Sequence, residues 1–73
     1  MNARILASAR KHGIAEEDIL HGFRNAIFEV TDDDIMMLVG PNRNGNLIEI
    51  ALIRVENGFL IIHAMQARKK YLK

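Results

Sequence analysis

Near its C-terminus the chain carries His63-Ala64-Met65-Gln66-Ala67-Arg68-Lys69-Lys70-Tyr71-Leu72, so that a histidine, an arginine, two lysines and a tyrosine fall within one short run. These side chains can handle an RNA phosphate without a metal ion. Arginine holds a phosphate bidentately and stabilises charge that builds up during phosphoryl transfer. Histidine moves protons near neutral pH. Lysine adds positive charge, and tyrosine can stack on a base or donate a proton. Each position also has a plainer reading. His63 at the end of an apolar strand can be a half-buried histidine with a backbone partner, and the basic run can be a solvated, frayed tail.

The other chemistry-bearing positions are sparser. Lys11 and His12 precede Gly13, where positive charge suits a helix C-terminus. His12 therefore reads as a capping residue at the helix end. His21 falls among charged helical positions and receives no role. No two histidines have the spacing of four that chelates a metal from one helix. Asp32-Asp33-Asp34 lacks the alternation of a calcium loop, and no lysine-serine or lysine-threonine pair follows the glycines of residues 40–46 as in a phosphate-binding loop. Ser8 is the only serine and cysteine is absent, so no nucleophile of the serine or thiol kind stands out. No metal and no cofactor is expected.

Seventy-three residues make a single domain, and at this size the core is small enough for stability to be marginal. With 49% apolar residues the composition is not that of a disordered chain. No signal-peptide core and no membrane-length apolar run is present, which makes a cytoplasmic protein the expectation. The formal charge of +1 conceals an asymmetry: residues 66–73 sum to +4 and the remaining residues to −3. A basic end thus stands against a mildly acidic body.

These residues need elements to position them. Residues 3–11 are rich in helix formers, and residues 15–25 place Glu16, Glu17 and Asp18 in a first turn ahead of an Ile19, Leu20 and Phe23 stripe. Two helices are therefore predicted, with Gly22 allowing one of them a close approach to a sheet. From Ile27 the period changes to two. Strands are predicted at residues 27–30, 35–39, 47–54 and 59–65, separated by the aspartate turn, the 40–46 loop and a Glu56-Asn57-Gly58 hairpin. The third is apolar on both faces except for Glu49, as in a central strand. Period two puts His63 on the face of Phe59, Ile61 and Met65. The predicted fold is α+β: two N-terminal helices packed on a four-stranded antiparallel sheet, with a short basic C-terminal tail or helix.

Lys11-His12-Gly13 after a first helix, the acidic second helix, Val39-Gly40, Gly45-Asn46-Leu47-Ile48-Glu49-Ile50, and Ile62-His63-Ala64-Met65 followed by Ala67-Arg68 resemble the small BrnT-like toxins of the RelE/ParE toxin–antitoxin superfamily. The resemblance runs from about residue 9 to residue 72. It implies a metal-independent endoribonuclease that inhibits translation, with RNA as substrate and a cognate antitoxin protein as partner. Attack of a ribose 2′-hydroxyl on the adjacent phosphate is the implied reaction. Arg68 would stabilise the phosphate and His63 would move a proton, with Lys11, His12, Lys69, Lys70 and Tyr71 holding RNA. Relative to that family the chain begins almost directly with its first helix, so an opening strand is expected to be missing. The alternative is a non-enzymatic interaction module that forms a homodimer or binds a protein partner through an apolar sheet face, to which Met1, Met36, Met37 and Met65 would contribute.

Overall fold

The computed structural model describes residues 3–72. Met1, read as an interface methionine, and Lys73, read as part of the basic end, lie outside the described residues. The chain runs β1 (Ala3–Ile5), a 3-10 turn (Ala7–Arg10), α1 (Glu16–Arg24), β2 (Phe28–Asp32), β3 (Ile35–Pro41), β4 (Leu47–Val55), β5 (Gly58–Gln66) and a second 3-10 turn (Lys69–Tyr71). All five strands form one sheet in the order β1-β5-β4-β3-β2.

This corrects the predicted architecture of two helices on a four-stranded antiparallel sheet. β2 to β5 are an antiparallel meander, but β1 pairs parallel with β5, Ala3 opposite Phe59 and Ile5 opposite Ile61. An opening strand is therefore present, and among the described residues there is one α-helix. Residues 3–11 carry helical propensity, yet a short helix has a costly nucleus and little to gain alone. Ala3 and Ile5 instead flank the exposed Arg4 in period two and pack against the core. The next residues tighten into a 3-10 turn that buries Ala9. The C-terminal tail is likewise a single 3-10 turn rather than a helix.

One helix covers one face of the sheet. Glu16, Glu17 and Asp18 occupy the first turn of α1, where the partial positive charge of the helix end favours them. Ile19 then packs with Ile48, Ile50 and Leu52 of β4, Leu38 of β3, and Ile61 and Ala64 of β5 in the buried core. Helix and sheet meet at two glycines. A Cβ on Gly40 would collide with the Gly22 carbonyl oxygen, and one on Gly22 would lie 3.1 Å from both the Ile48 and Ile50 Cδ1 atoms. Two polar clamps fix the helix further. The His21 Nδ1–H donates to the Pro41 carbonyl at 2.8 Å, and the Arg43 backbone N–H and Nε donate to Asp18 Oδ1 at 3.0 and 2.8 Å. Among the described residues the opposite face carries no α-helix, only the C-terminal 3-10 turn at one end.

Candidate functional site

From Ile48 to Leu52 β4 is buried at both faces, and it carries the single buried acid among the described residues. Glu49 is 0% exposed, although leaving a carboxylate out of water costs several kcal/mol unless it is paired. Its alternation with Ile48 and Ile50 puts it on the face away from α1. There it meets two cationic or ionisable groups from β5 and the segment beyond.

The first is His63, whose Nε2 lies 2.9 Å from Glu49 Oε2. Its position depends on an irregularity in the β4–β5 ladder. Ala51 pairs with His63 but Leu52 pairs with Ile61, so Ile62 is an extra residue. The bulge reverses the facing of everything before it. Ile61 and Phe59 pack with the core on the helix side, while His63 and Met65 share the open side with Ala51 and Glu49. The predicted common face of Phe59, Ile61, His63 and Met65 is thereby corrected, because one inserted residue shifts a period of two.

The second is Arg68. After β5 the Ala67 N–H bonds to the Leu47 carbonyl, which turns the chain across β4. The Arg68 backbone N–H then donates to Glu49 Oε1 at 2.9 Å, Nε donates to both carboxylate oxygens at 3.0 and 3.1 Å, and Nη2 donates to Oε2 at 2.7 Å. Glu49 engages one edge of the guanidinium and leaves Nη1 outside the contact. The Arg68 side chain remains 46% exposed and that of His63 26% exposed. A buried anion thus holds two partly exposed groups at the surface.

The electrostatics follow from the same contacts. Burial alone pushes the Glu49 carboxyl up, but the side-chain and backbone hydrogen bonds from Arg68 and the bond to His63 outweigh it and hold the group below the usual carboxylate range. The hydrogen bond to Glu49 raises Arg68 above its already high ordinary value. Because the ionised carboxylate only accepts, His63 Nε2 carries the proton in this bond. Neutral His63 then has its lone pair on Nδ1.

Of the other predicted residues, His12 reaches the cluster: its ring lies edge-to-face with His63 at 5.6 Å between centroids. The Ser8 hydroxyl donates to the Ile62 carbonyl at 2.8 Å, tying the same N-terminal segment to the bulge. Lys11 is exposed in the turn beside His12. Tyr71 lies next to Arg68, with the guanidinium carbon 5.7 Å and Lys70 Nζ 5.1 Å from its ring centre. Lys69 is exposed on the same turn and makes no ion pair among the described residues. Sequence reasoning passed over Glu49 as a site residue. Its signal was a lone acid in a strand apolar on both faces, which demands a cation nearby.

Among the described residues no group of three or more histidine, aspartate or glutamate side chains could hold a metal ion. No helix among them is long and apolar enough to cross a membrane. No protein-family model, curated protein or solved structure matches the chain.

Proposed function

We propose that the chain is the toxin of a bacterial toxin–antitoxin module and cleaves RNA without a metal ion. The observation that carries the reading is the buried Glu49 carboxylate, which holds Arg68 and His63 side by side at the surface. A carboxylate at that depth organises its partners without being consumed by solvent, as preorganised catalytic groups require.

In the proposed reaction the ribose 2′-oxygen forms a bond to the adjacent phosphorus and the bond to the 5′-oxygen breaks. The products are a 2′,3′-cyclic phosphate and a free 5′-hydroxyl. His63 Nδ1 takes the 2′-hydroxyl proton, since Nε2–H is held by Glu49. The outer edge of the Arg68 guanidinium carries the charge that builds up on the phosphate oxygens. His12, ring to ring with His63, returns a proton to the leaving 5′-oxygen. Lys11, Lys69 and Lys70 hold the flanking phosphates, and Tyr71 offers a stacking surface. The cognate antitoxin would be the protein that masks this surface.

Induction of the chain in a bacterial host tests the reading. Growth arrest is expected, with arrest relieved by Arg68→Lys, which retains a charge but not the planar fork. Normal growth with wild-type chain accumulating in folded form would overturn it. The interaction-module alternative is favoured by a different observation, the apolar open face of the sheet.

A further inference from the structure

The face of the sheet opposite α1 is apolar, exposed toward the β2–β3 and β4–β5 turns, and charged at its two ends. Among the described residues, four of the five large exposed apolar side chains, Val30, Ile35, Val55 and Leu72, belong to it. The fifth, Ile27, lines a groove of about 750 Å³ between β2 and the tail. Such a concentration on one face of a small domain marks an interaction surface.

The charges say what covers it. The β2–β3 turn and the β4–β5 turn lie at the same end of the sheet, because Ile35 pairs with Ile53 and Asp32 with Ile35. That end carries Asp32, Asp33, Asp34 and Glu56, all exposed. Arg54 sits on the other face, over the Phe59 ring. The tail crosses the opposite end and brings Lys69 and Lys70, while Arg68 is neutralised by Glu49. At about 3.4 Å per residue, Glu49 and Val55 are about 20 Å apart along β4, so acidic and basic ends are well separated with apolar residues between.

A surface with this layout is complementary to itself. Rotated by two-fold symmetry, a second copy sets its basic end against the acidic end of the first, and the reverse contact forms at the same time. We propose that the open sheet face is a homodimer interface in which two copies pack face to face with these ends apposed. The assembly goes beyond the RNA reading and does not depend on it. It also covers Lys70 and Tyr71 and the open-face pair His63 and Arg68, so an RNA bound there would compete with the second copy.

Sedimentation of the full chain over a concentration series tests the proposal. Wild type is expected to approach twice 8.3 kDa. Ile35→Glu, in the exposed apolar row beside the acidic end, is expected to sediment as monomer. Two charge reversals sharpen the test at exposed positions that do not build the core. Asp32→Lys with Asp34→Lys and Glu56→Lys leaves Asp33 as the one acid of that turn end and makes both ends basic, and Lys69→Glu with Lys70→Glu makes both acidic. Each alone is expected to weaken self-association by about tenfold or more, and an equimolar mixture of the two to restore a dimer containing one of each. A wild type that stays monomeric throughout overturns the proposal. So does a dimer indifferent to the charge reversals, or a mixture that remains monomeric. If Ile35→Glu does not fold, the reversed pair decides alone. Because the readout is mass, loss of RNA cleavage would leave this result untouched.

Discussion

Ile48, Ile50 and Leu52 of β4 lie under α1 and are fully buried. The alternate residues Leu47, Glu49, Ala51, Ile53 and Val55 face the open side, and toward Val55 they become exposed. The two faces share one backbone, one register and one set of neighbouring strands. On the helix side, burial is achieved by shape: two glycines bring helix and strand together and aliphatic side chains fill the space. On the open side the central residue is an ion, and it is buried because Arg68 and His63 cover it. Packing on the first face holds the fold, and hydrogen bonding on the second holds a set of partly exposed side chains in place. The first face therefore tolerates change poorly in stability. The second should tolerate change in stability better than in activity.

That contrast can be broken most readily by truncation. Ile50→Ala should cost about 3–4 kcal/mol and Gly40→Ala a comparable amount, whereas Ile53→Ala on the open side should cost about 1 kcal/mol, read from urea unfolding. Equal losses on the two faces would end the division of labour proposed for β4. Next in size is the effect on cleavage. His63→Gln should lower the rate of RNA cleavage by about 100-fold with a thermal midpoint close to wild type, and a large loss of midpoint without a specific loss of rate would make His63 structural.

A pH series sharpens the same contrast. Because the folded Glu49 carboxyl is held below its ordinary value of 4.5, it contributes stability above that value. The contribution is lost as pH falls through the lower, folded value. The Asp18 carboxyl is also held low, by its side-chain and backbone hydrogen bonds with Arg43, and its contribution fades in the same direction. Glu49→Gln should therefore flatten, but not abolish, the fall of thermal midpoint under acid. An unchanged acid profile in that variant would mean that Glu49 is not ionised in the fold. The smallest effect belongs to Tyr71→Ala, which removes a half-exposed ring beside Arg68 and Lys70. It should shift stability by less than about 1 kcal/mol while weakening RNA binding by a few-fold, measured by fluorescence anisotropy.

Much of this arrangement was legible in local pattern, and the part that was not depends on distant pairing. The acidic first turn and the Ile19, Leu20, Phe23 stripe mark α1, and alternation with turn residues between marks β2 to β5. β1 is different. Its residues favour helix locally, and only the edge of β5, more than fifty positions away, makes Ala3–Ile5 a strand. The bulge at Ile62 has no glycine or proline to announce it, so the face of His63 could not be read from period two. Arg68 and His63 were visible as chemistry. Glu49, which joins them, was visible only as an exception to an apolar strand, and its role appears once β5 and the tail fold back over β4.

Cleavage of RNA by purified chain in the presence of a chelator, with wild type compared against Arg68→Lys and both shown to be folded, is the most direct measurement. Wild type is expected to produce fragments ending in 2′,3′-cyclic phosphate and 5′-hydroxyl, and Arg68→Lys to cleave at least about 100-fold more slowly. A folded wild type that leaves RNA intact, or an Arg68→Lys chain that cleaves at the wild-type rate, would contradict the role assigned to the Glu49-held site.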